Sequence, residues 1–121
     1  LSNSTTTGTN DSTIFVINTY ENNRWGFYDG STVLVGAVLD LNRWYNLVMT
    51  KSSTTYTIFL NAEQENQSTK NNINIEDFLI GRRSYNDSYY NGNIATTQIY
   101  NRALSDAEVL QNYNALKNRF I

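Results

Sequence analysis

The 121-residue sequence contains no cysteine and no histidine. Without cysteine, the chain can form neither a disulfide framework nor a thiolate metal site. Without histidine, it lacks the commonest general base and the commonest metal ligand among side chains. A nucleophilic catalytic triad is therefore excluded.

Charge is also scarce, at 17% of residues, and the net charge is only −2. The nine basic residues are scattered, and Arg82 and Arg83 are the only adjacent pair. Phosphate recognition requires a basic patch, so the sequence predicts no nucleic-acid partner. No apolar run approaches the length needed to cross a bilayer, so it also predicts no membrane span.

Small uncharged polar residues are abundant instead. The sequence has 19 Asn, 14 Thr and 10 Ser, beside a hydrophobic fraction of 40% and an aromatic fraction of 13%. The hydrophobic content is that of a folded chain, and its length suits one core. Asn, Thr and Ser suit strands, turns and hydrogen-bonded surfaces better than helices. This composition is typical of a β-rich surface or adhesive protein.

The order of the segments predicts one domain. Residues 1–12 are polar and unpatterned, and we interpret them as a flexible lead-in to a single domain at 13–121. Short apolar, β-branched runs then alternate with turn chemistry, which includes the polar segment 61–72. Such spacing favours an antiparallel sandwich or barrel. The runs lie at 13–19, 24–30, 31–39, 44–50, 55–61, 73–75, 77–81 and 93–100.

Alternation within two of these runs predicts which residues face the core. Side chains two residues apart lie on the same face of a strand. In the run 55–61, one face contains Tyr56, Ile58 and Leu60. In the run 44–50, one face contains Tyr45, Leu47 and Met49.

The C-terminal residues predict a helix. Ser105 and Glu108 have the spacing of a capping box, and Leu104 and Val109 have that of a hydrophobic staple. Asp106 and Lys117 carry the charges that the helix dipole favours at its two ends. A helix this short needs tertiary packing, so we expect it to pack against the sandwich through one apolar stripe. The stripe consists of Val109, Leu110, Tyr113 and Leu116.

Three stretches of the sequence carry a family resemblance, namely "LNRWYNLVMTKSSTTYTIFLNAE", "FLIGRRS" and "YYNGNIATTQIYNRALSDAEV". Together they resemble the laminin-G-like branch of the concanavalin A-like lectin/glucanase superfamily. The resemblance covers about residues 25–108 and is most specific in the last third. It implies an all-β, antiparallel two-sheet jelly-roll sandwich with one short C-terminal helix.

The sequence departs from the family pattern in its turns and at its N-terminal side. Asn61-Ala62 stands where the family often has Asn-Gly, and "KSST" stands where it often has Asp-Gly. Family members usually carry further N-terminal strands, one of which pairs beside the final strand. An unpaired edge would invite association, so we expect an upstream region or a neighbouring chain to complete the sandwich. A homo-oligomer or a larger assembly is the expected setting.

The superfamily includes glycoside hydrolases, which use two carboxylates about 5 to 10 Å apart. Three acidic pairs are candidates, but each has another interpretation. Glu63 with Glu65 lies in the predicted loop, Glu76 with Asp77 precedes a strand, and Asp106 with Glu108 belongs to the helix start. We therefore expect the chain not to be an enzyme.

Glycan binding is the alternative, because sugars stack on aromatic rings and bond to amide and carboxyl groups. Two stretches, "YENNRWGFYDG" and "RRSYNDSYYNG", combine these groups. In the alternative interpretation Trp25, Phe27, Tyr90 and Trp44 fill the core, and the loop tyrosines cover the loop or meet a neighbouring subunit. The candidate binding residues are Tyr85, Asn86, Asp87, Tyr89, Trp25 and Asn23.

A calcium site is a weaker expectation. Asp29, Asn86 and Asp87 could supply oxygen ligands, but no motif clusters them, so a solvated turn is favoured and no cofactor is expected. The sequence thus predicts a non-catalytic module that binds a glycan or cell-surface polysaccharide. We place it in an extracellular surface protein or a virion, such as a phage fibre or capsid decoration. A purely architectural subunit is the alternative.

Overall fold

The computed structural model describes residues 2–3, 12–18, 23–28, 33–69, 80–81 and 89–120, and only the backbone of residues 2–3, 12–18 and 33. Of the predicted strand at 77–81 only residues 80 and 81 are described, and they form a bend and not a strand. The predicted strand at 73–75 lies outside the described residues. So does most of the predicted lead-in, and the domain boundary after residue 12 stays a prediction.

Two antiparallel sheets form the body of the described chain. The first has the strand order β1-β2-β3-β4 and the second β5-β6-β7. This confirms the predicted all-β architecture of two sheets. The strands are β1 (Ser2–Asn3), β2 (Ser12–Asn18), β3 (Arg24–Tyr28), β4 (Val33–Val38), β5 (Leu47–Ser52), β6 (Thr55–Leu60) and β7 (Glu63–Thr69).

The core lies between the two sheets. Phe27 of β3 stacks on Tyr56 of β6, with ring centroids 5.1 Å apart and an interplanar angle of 17°. Such offset aromatic pairs add to the stabilisation from buried area. The predicted strand faces are confirmed, because Tyr56 and Ile58 are buried and the other four residues pack around them. The cluster contains Trp25, Phe27, Leu34, Leu39, Tyr56 and Ile58, with Tyr45, Leu47, Met49 and Leu60 at its margin.

Two residues assigned to the core by sequence are partly exposed. Trp44 is 41% exposed because it lies in the connection before β5, where its ring packs on Phe120 at a centroid distance of 5.6 Å. Tyr90 is 39% exposed, and its ring lies close to Gly92. Interpreting both as core residues was wrong, since neither lies in a strand that faces the second sheet.

The polar segment after β6 is a strand and not a loop. Asn61 and Ala62, with φ values of 50° and 68°, form a two-residue turn into β7. Positive φ at both positions is the geometry that matches the twist of a tight hairpin. The prediction of a loop at 61–72 was therefore wrong for the residues of β7, and its failure matters for the site described below.

Residues 93–100, predicted to be the final strand, have no strand assignment. A strand requires a hydrogen-bonded neighbour, and none of the described strands pairs with this segment. All eight residues are exposed, including the apolar Ile94 and Ile99. Ser2–Asn3, by contrast, pairs with β2 although the sequence places it in the lead-in.

The C-terminal helix, α1 (Asp106–Phe120), begins as predicted. The Ser105 N–H donates to Glu108 Oε2 at 2.8 Å, and the Glu108 N–H donates to Ser105 Oγ at 3.2 Å. This confirms the capping box. Val109 is buried and Leu104 half-buried, whereas Leu110 is exposed, so the predicted apolar stripe is narrower than expected.

A contact of Arg102 that the sequence analysis did not predict stabilises the start of this helix. Arg102 donates from both terminal nitrogens to Glu108, with Nη2–Oε1 at 2.7 Å and Nη1–Oε2 at 2.9 Å. This guanidinium, together with the N–H and hydroxyl of Ser105, lowers the pKa of Glu108 to about 2. Glu108 in turn raises the pKa of Arg102.

Candidate ligand-binding cleft

A cleft of about 530 Å³ opens where the β4 edge of the first sheet meets β7 of the second sheet. Its lining includes three half-buried apolar residues, Val35, Ala37 and Leu60. Its walls are polar and come mainly from β7. The described residues that line it are Arg24, Val35, Gly36, Ala37, Leu60, Glu63, Gln64, Glu65 and Asn66.

Two β-bulges shape this cleft. In β7, Phe59 is opposite Gln64 and Ile58 is opposite Asn66, so Glu65 is an extra residue. In β4, the register against β3 also shifts by one residue between the partners of Arg24 and Gly26. A bulge re-aims the neighbouring side chains. Because of the β7 bulge, the adjacent residues Glu65 and Asn66 both reach β4, which strict strand alternation would prevent.

These two side chains form hydrogen bonds with backbone groups of β4. Asn66 Nδ2 donates to the Val35 carbonyl oxygen at 3.0 Å. The Ala37 N–H donates to Glu65 Oε2 at 2.9 Å. Unpaired backbone groups at a sheet edge attract other strands unless something covers them. Glu65 and Asn66 therefore protect part of the β4 edge and fix the position of the cleft wall.

Glu65 also holds the buried tryptophan of the core. Trp25 Nε1 donates to Glu65 Oε2 at 2.7 Å, and the Trp25 side chain is fully buried. A buried indole N–H needs an acceptor, and a hydrogen bond to a carboxylate is stronger than one between neutral groups. Glu65 Oε2 of the second sheet thus forms hydrogen bonds with two parts of the first sheet. One is the core residue Trp25, and the other is Ala37 at the edge.

Gly36 makes this arrangement possible. A β-carbon at this position would overlap both Glu65 Oε2 and the indole of Trp25. The close packing therefore requires glycine at this position, although glycine in the middle of a strand lowers the stability of that strand.

The guanidinium of Arg24 lies at the mouth of the cleft. Its Nη1 donates to the Gly36 carbonyl oxygen at 3.0 Å, which orients the exposed group. Gln64 Nε2 donates to Gln67 Oε1 at 3.3 Å, and Glu63 is exposed. The cleft therefore presents hydrogen-bond donors and acceptors together with a smaller apolar surface. Its volume lies within the range of about 300–1,000 Å³ typical of small-molecule sites.

The residues predicted from sequence to bind a glycan occupy several places. Trp25 is buried beneath the cleft and exposes no ring face to solvent. Asn23 is exposed in the turn before β3, where its φ is 62°. Tyr89 is also exposed, with 68% of its surface accessible to solvent. Neither lines the cleft in the described part of the chain. Tyr85, Asn86 and Asp87 lie outside the described residues, so a site around Tyr89 stays a prediction.

Sequence reasoning missed the cleft because it placed Glu63 and Glu65 in a polar loop. The turn at Asn61-Ala62 is the signal that could have revealed a hairpin, since it follows a clear strand at the position of the family's Asn-Gly. The link from Glu65 to Trp25 spans 40 residues of sequence, and no local pattern predicts it.

The described residues contain neither a cluster of metal ligands nor a membrane-spanning helix. This part of the chain has no group of three or more acidic, histidine or cysteine side chains arranged to hold a metal ion. Asp29, Asn86 and Asp87, the calcium ligands considered from sequence, lie outside it. The helix that it contains is neither long nor apolar enough to cross a membrane.

Comparison with known proteins agrees with this architecture. A laminin G family model described as the concanavalin A-like lectin/glucanases superfamily matches residues 2–110. The fold is also similar to that of an S-layer domain-containing protein (residues 221–444) from Clostridium thermocellum ATCC 27405. That match has a TM-score of 0.57 and 21% sequence identity, and it covers 75% of this chain.

This chain spans about half of that structure, since the match covers 52% of its length. A search of curated proteins gives no significant match. The family match extends over most of the 121 residues and confirms the resemblance found in the sequence. The chain belongs to the concanavalin A-like lectin/glucanases superfamily.

Proposed function

We propose that this domain is a non-catalytic glycan-binding module of an extracellular surface protein or a virion. The observation that carries the proposal is the cleft between β4 and β7, which is lined by amide, carboxyl and guanidinium groups together with the apolar residues Val35, Ala37 and Leu60. A sugar has apolar C–H faces and a rim of hydroxyls that both donate and accept hydrogen bonds. The lining matches both kinds of surface.

The contacts of Glu65 support binding over catalysis. Glycoside hydrolysis needs two carboxylates that are free to act on one bond. Glu65 Oε2 instead accepts hydrogen bonds from Trp25 and Ala37 and so has a structural task. The cleft then offers Glu63 as its remaining carboxylate among the described residues.

An extracellular setting is supported by the family and by the composition. The solved structure with a similar fold is an S-layer domain-containing protein. The scarcity of charge and the abundance of Asn, Thr and Ser suit a surface protein within a larger assembly.

Glycan-array binding tests the proposal, using the folded domain beside two β7 variants. Gln64→Ala removes a cleft side chain, whereas Gln67→Ala removes its hydrogen-bond partner, which does not line the cleft. We expect a glycan signal that falls in Gln64→Ala and persists in Gln67→Ala. Absence of any signal from the folded wild-type domain would refute glycan binding.

A Tyr85→Ala/Tyr89→Ala variant in the same array tests the second location. Loss of binding in this variant alone would place the glycan site at the tyrosine loop and refute glycan binding in the cleft.

The alternative function is that of an architectural subunit without a ligand. The exposed apolar side chains of the C-terminal region favour it, namely Tyr89, Ile94, Ile99 and Tyr100. It predicts that the folded domain binds no glycan and that these side chains become protected in the assembled protein. Hydrogen exchange and chemical labelling of tyrosine, before and after assembly, would detect that protection.

A further inference from the structure

We infer that the cleft between β4 and β7 selects glycans that carry a free ammonium group, such as oligosaccharides of glucosamine, over neutral and acidic ones. This inference rests on the proposed glycan-binding function. Its basis is the set of charges that the cleft leaves unpaired.

Three ionisable side chains of the described residues line the cleft, and two of them are acidic. They are Glu63 and Glu65 of β7 and Arg24 of β3. Within the described residues, Arg24 forms no ion pair with either glutamate, and its Nη1 is bound to the Gly36 carbonyl oxygen. Among the described residues, the lining of the cleft therefore carries one more negative than positive charge, and no ion pair joins Arg24 to either glutamate.

The hydrogen bonds of Glu65 fix its carboxylate but do not neutralise it. Both donors, the Trp25 indole and the Ala37 amide, are uncharged, and both contact Oε2. The other oxygen, Oε1, has no hydrogen-bond partner among the described residues, and neither does the Glu63 carboxylate. Glu65 Oε1 and the Glu63 carboxylate are thus the acidic acceptors left for a ligand among the described residues.

A ligand for this cleft must supply a cation together with hydroxyl groups. The cation would lie at Glu63 and Glu65 Oε1, while hydroxyls would meet Gln64 and the remaining N–H groups of Arg24. An amino sugar combines these groups on one ring, whose C–H face can lie on Val35 and Leu60. A sulfated or uronic glycan would be repelled by the glutamates.

The expected selectivity is modest, because the cleft is open to water. Solvent-exposed ion pairs stabilise weakly and are screened by salt. We expect the affinity for a glucosamine oligomer to exceed that for its N-acetylated counterpart by about two- to fivefold, which is the range of one exposed ion pair.

The test compares two tetrasaccharides of equal length, chitosan tetramer with free amines and chitin tetramer with acetylated amines. Calorimetry at about pH 5.5, where carboxylic side chains are ionised and aliphatic amines protonated, measures both affinities. The key variant is Glu63→Gln, which keeps the shape and removes the charge. Asp40→Asn is its matched control, because it removes an equal charge from an exposed residue outside the cleft.

We expect the chitosan tetramer to bind more tightly, to lose that advantage in Glu63→Gln and at high salt, and to keep it in Asp40→Asn. Equal binding of both tetramers, unchanged in Glu63→Gln, would overturn the ammonium inference and leave the glycan-binding proposal intact. Binding of neither tetramer would also overturn the inference, and failure of the folded domain across the whole glycan array would then overturn the proposed function as well.

Discussion

The two-sheet region and the C-terminal region are stabilised in different ways. In the first, residues 24–69 bury aromatic and aliphatic side chains between sheets, and hydrogen bonds cross long stretches of sequence. In the second, residues 89–120, most apolar side chains are exposed and the side-chain hydrogen bonds connect residues close in sequence. The longest of these joins Asn112 Nδ2 to the hydroxyl of Tyr100 at 3.1 Å, 12 residues apart.

Stability and local order therefore have different physical origins in this chain, with burial dominating in residues 24–69 and local polar contacts in residues 89–120. Burial of apolar surface dominates folding energetics, and it is concentrated between the sheets. Capping and charge interactions fix the start of α1 without burying much surface. Disrupting each source separately should therefore give effects of very different size.

The largest difference should come from one substitution made in both regions. Ile58 is 0% exposed in β6, whereas Ile94 is 49% exposed. Ile58→Ala should lower the free energy of unfolding by about 2–5 kcal/mol, because it leaves a cavity in the core. Ile94→Ala should change it by less than about 0.5 kcal/mol. Urea denaturation measures both, and similar losses would show that residue 94 is buried in solution.

The next effect concerns the two glycines that lie close to aromatic rings. Gly36→Ala should cost about 1–3 kcal/mol, because the new methyl group overlaps the indole of buried Trp25 and the carboxylate bonded to it. Gly92→Ala meets the partly exposed ring of Tyr90, which can move aside. Thermal unfolding of both variants, with tryptophan emission as a probe of Trp25, measures the difference. An unchanged melting temperature in Gly36→Ala would contradict the described packing.

The smallest effect should be a pH response confined to the helix start. The pKa of Glu108 in the folded chain is lowered from its ordinary value of 4.5 to about 2, first by Arg102 and then by the backbone of Ser105. Its stabilising contribution is therefore complete above about pH 4.5 and is lost as the pH falls towards 2. Amide exchange at residues 105–109 should accelerate in this window, and Glu108→Gln should abolish the change. Acceleration that is identical in the variant would assign the response to other groups.

The sequence predicted local features well and distant ones poorly. Ser105 and Glu108 lie three residues apart, so their capping box could be recognised directly. The alternating core residues of β5 and β6 were equally clear, since hydrophobic periodicity is the main signal of a strand. The β7 strand has no apolar residue, so that signal was missing.

The cleft could not be predicted because it depends on two bulges and on contacts between distant residues. Asn66 and Val35 are 31 residues apart, and Ala37 and Glu65 are 28 apart. A bulge shifts every following side chain to the other face, so counting along the sequence misplaces it. The predicted strand at 93–100 fails for the opposite reason, because its local pattern is right but it has no described partner.

One measurement tests the central claim most directly. Two-dimensional ¹⁵N–¹H NMR of the domain, titrated with chitosan tetramer, reports on the indole N–H of Trp25 and the amide N–H of Ala37, the two groups bonded to Glu65. We predict that both resonances shift in a saturable way, together with those of Glu63 and Gln64. Saturable shifts confined to residues around Tyr89 would contradict binding in the cleft, and no shifts at all would contradict binding of an amino sugar there.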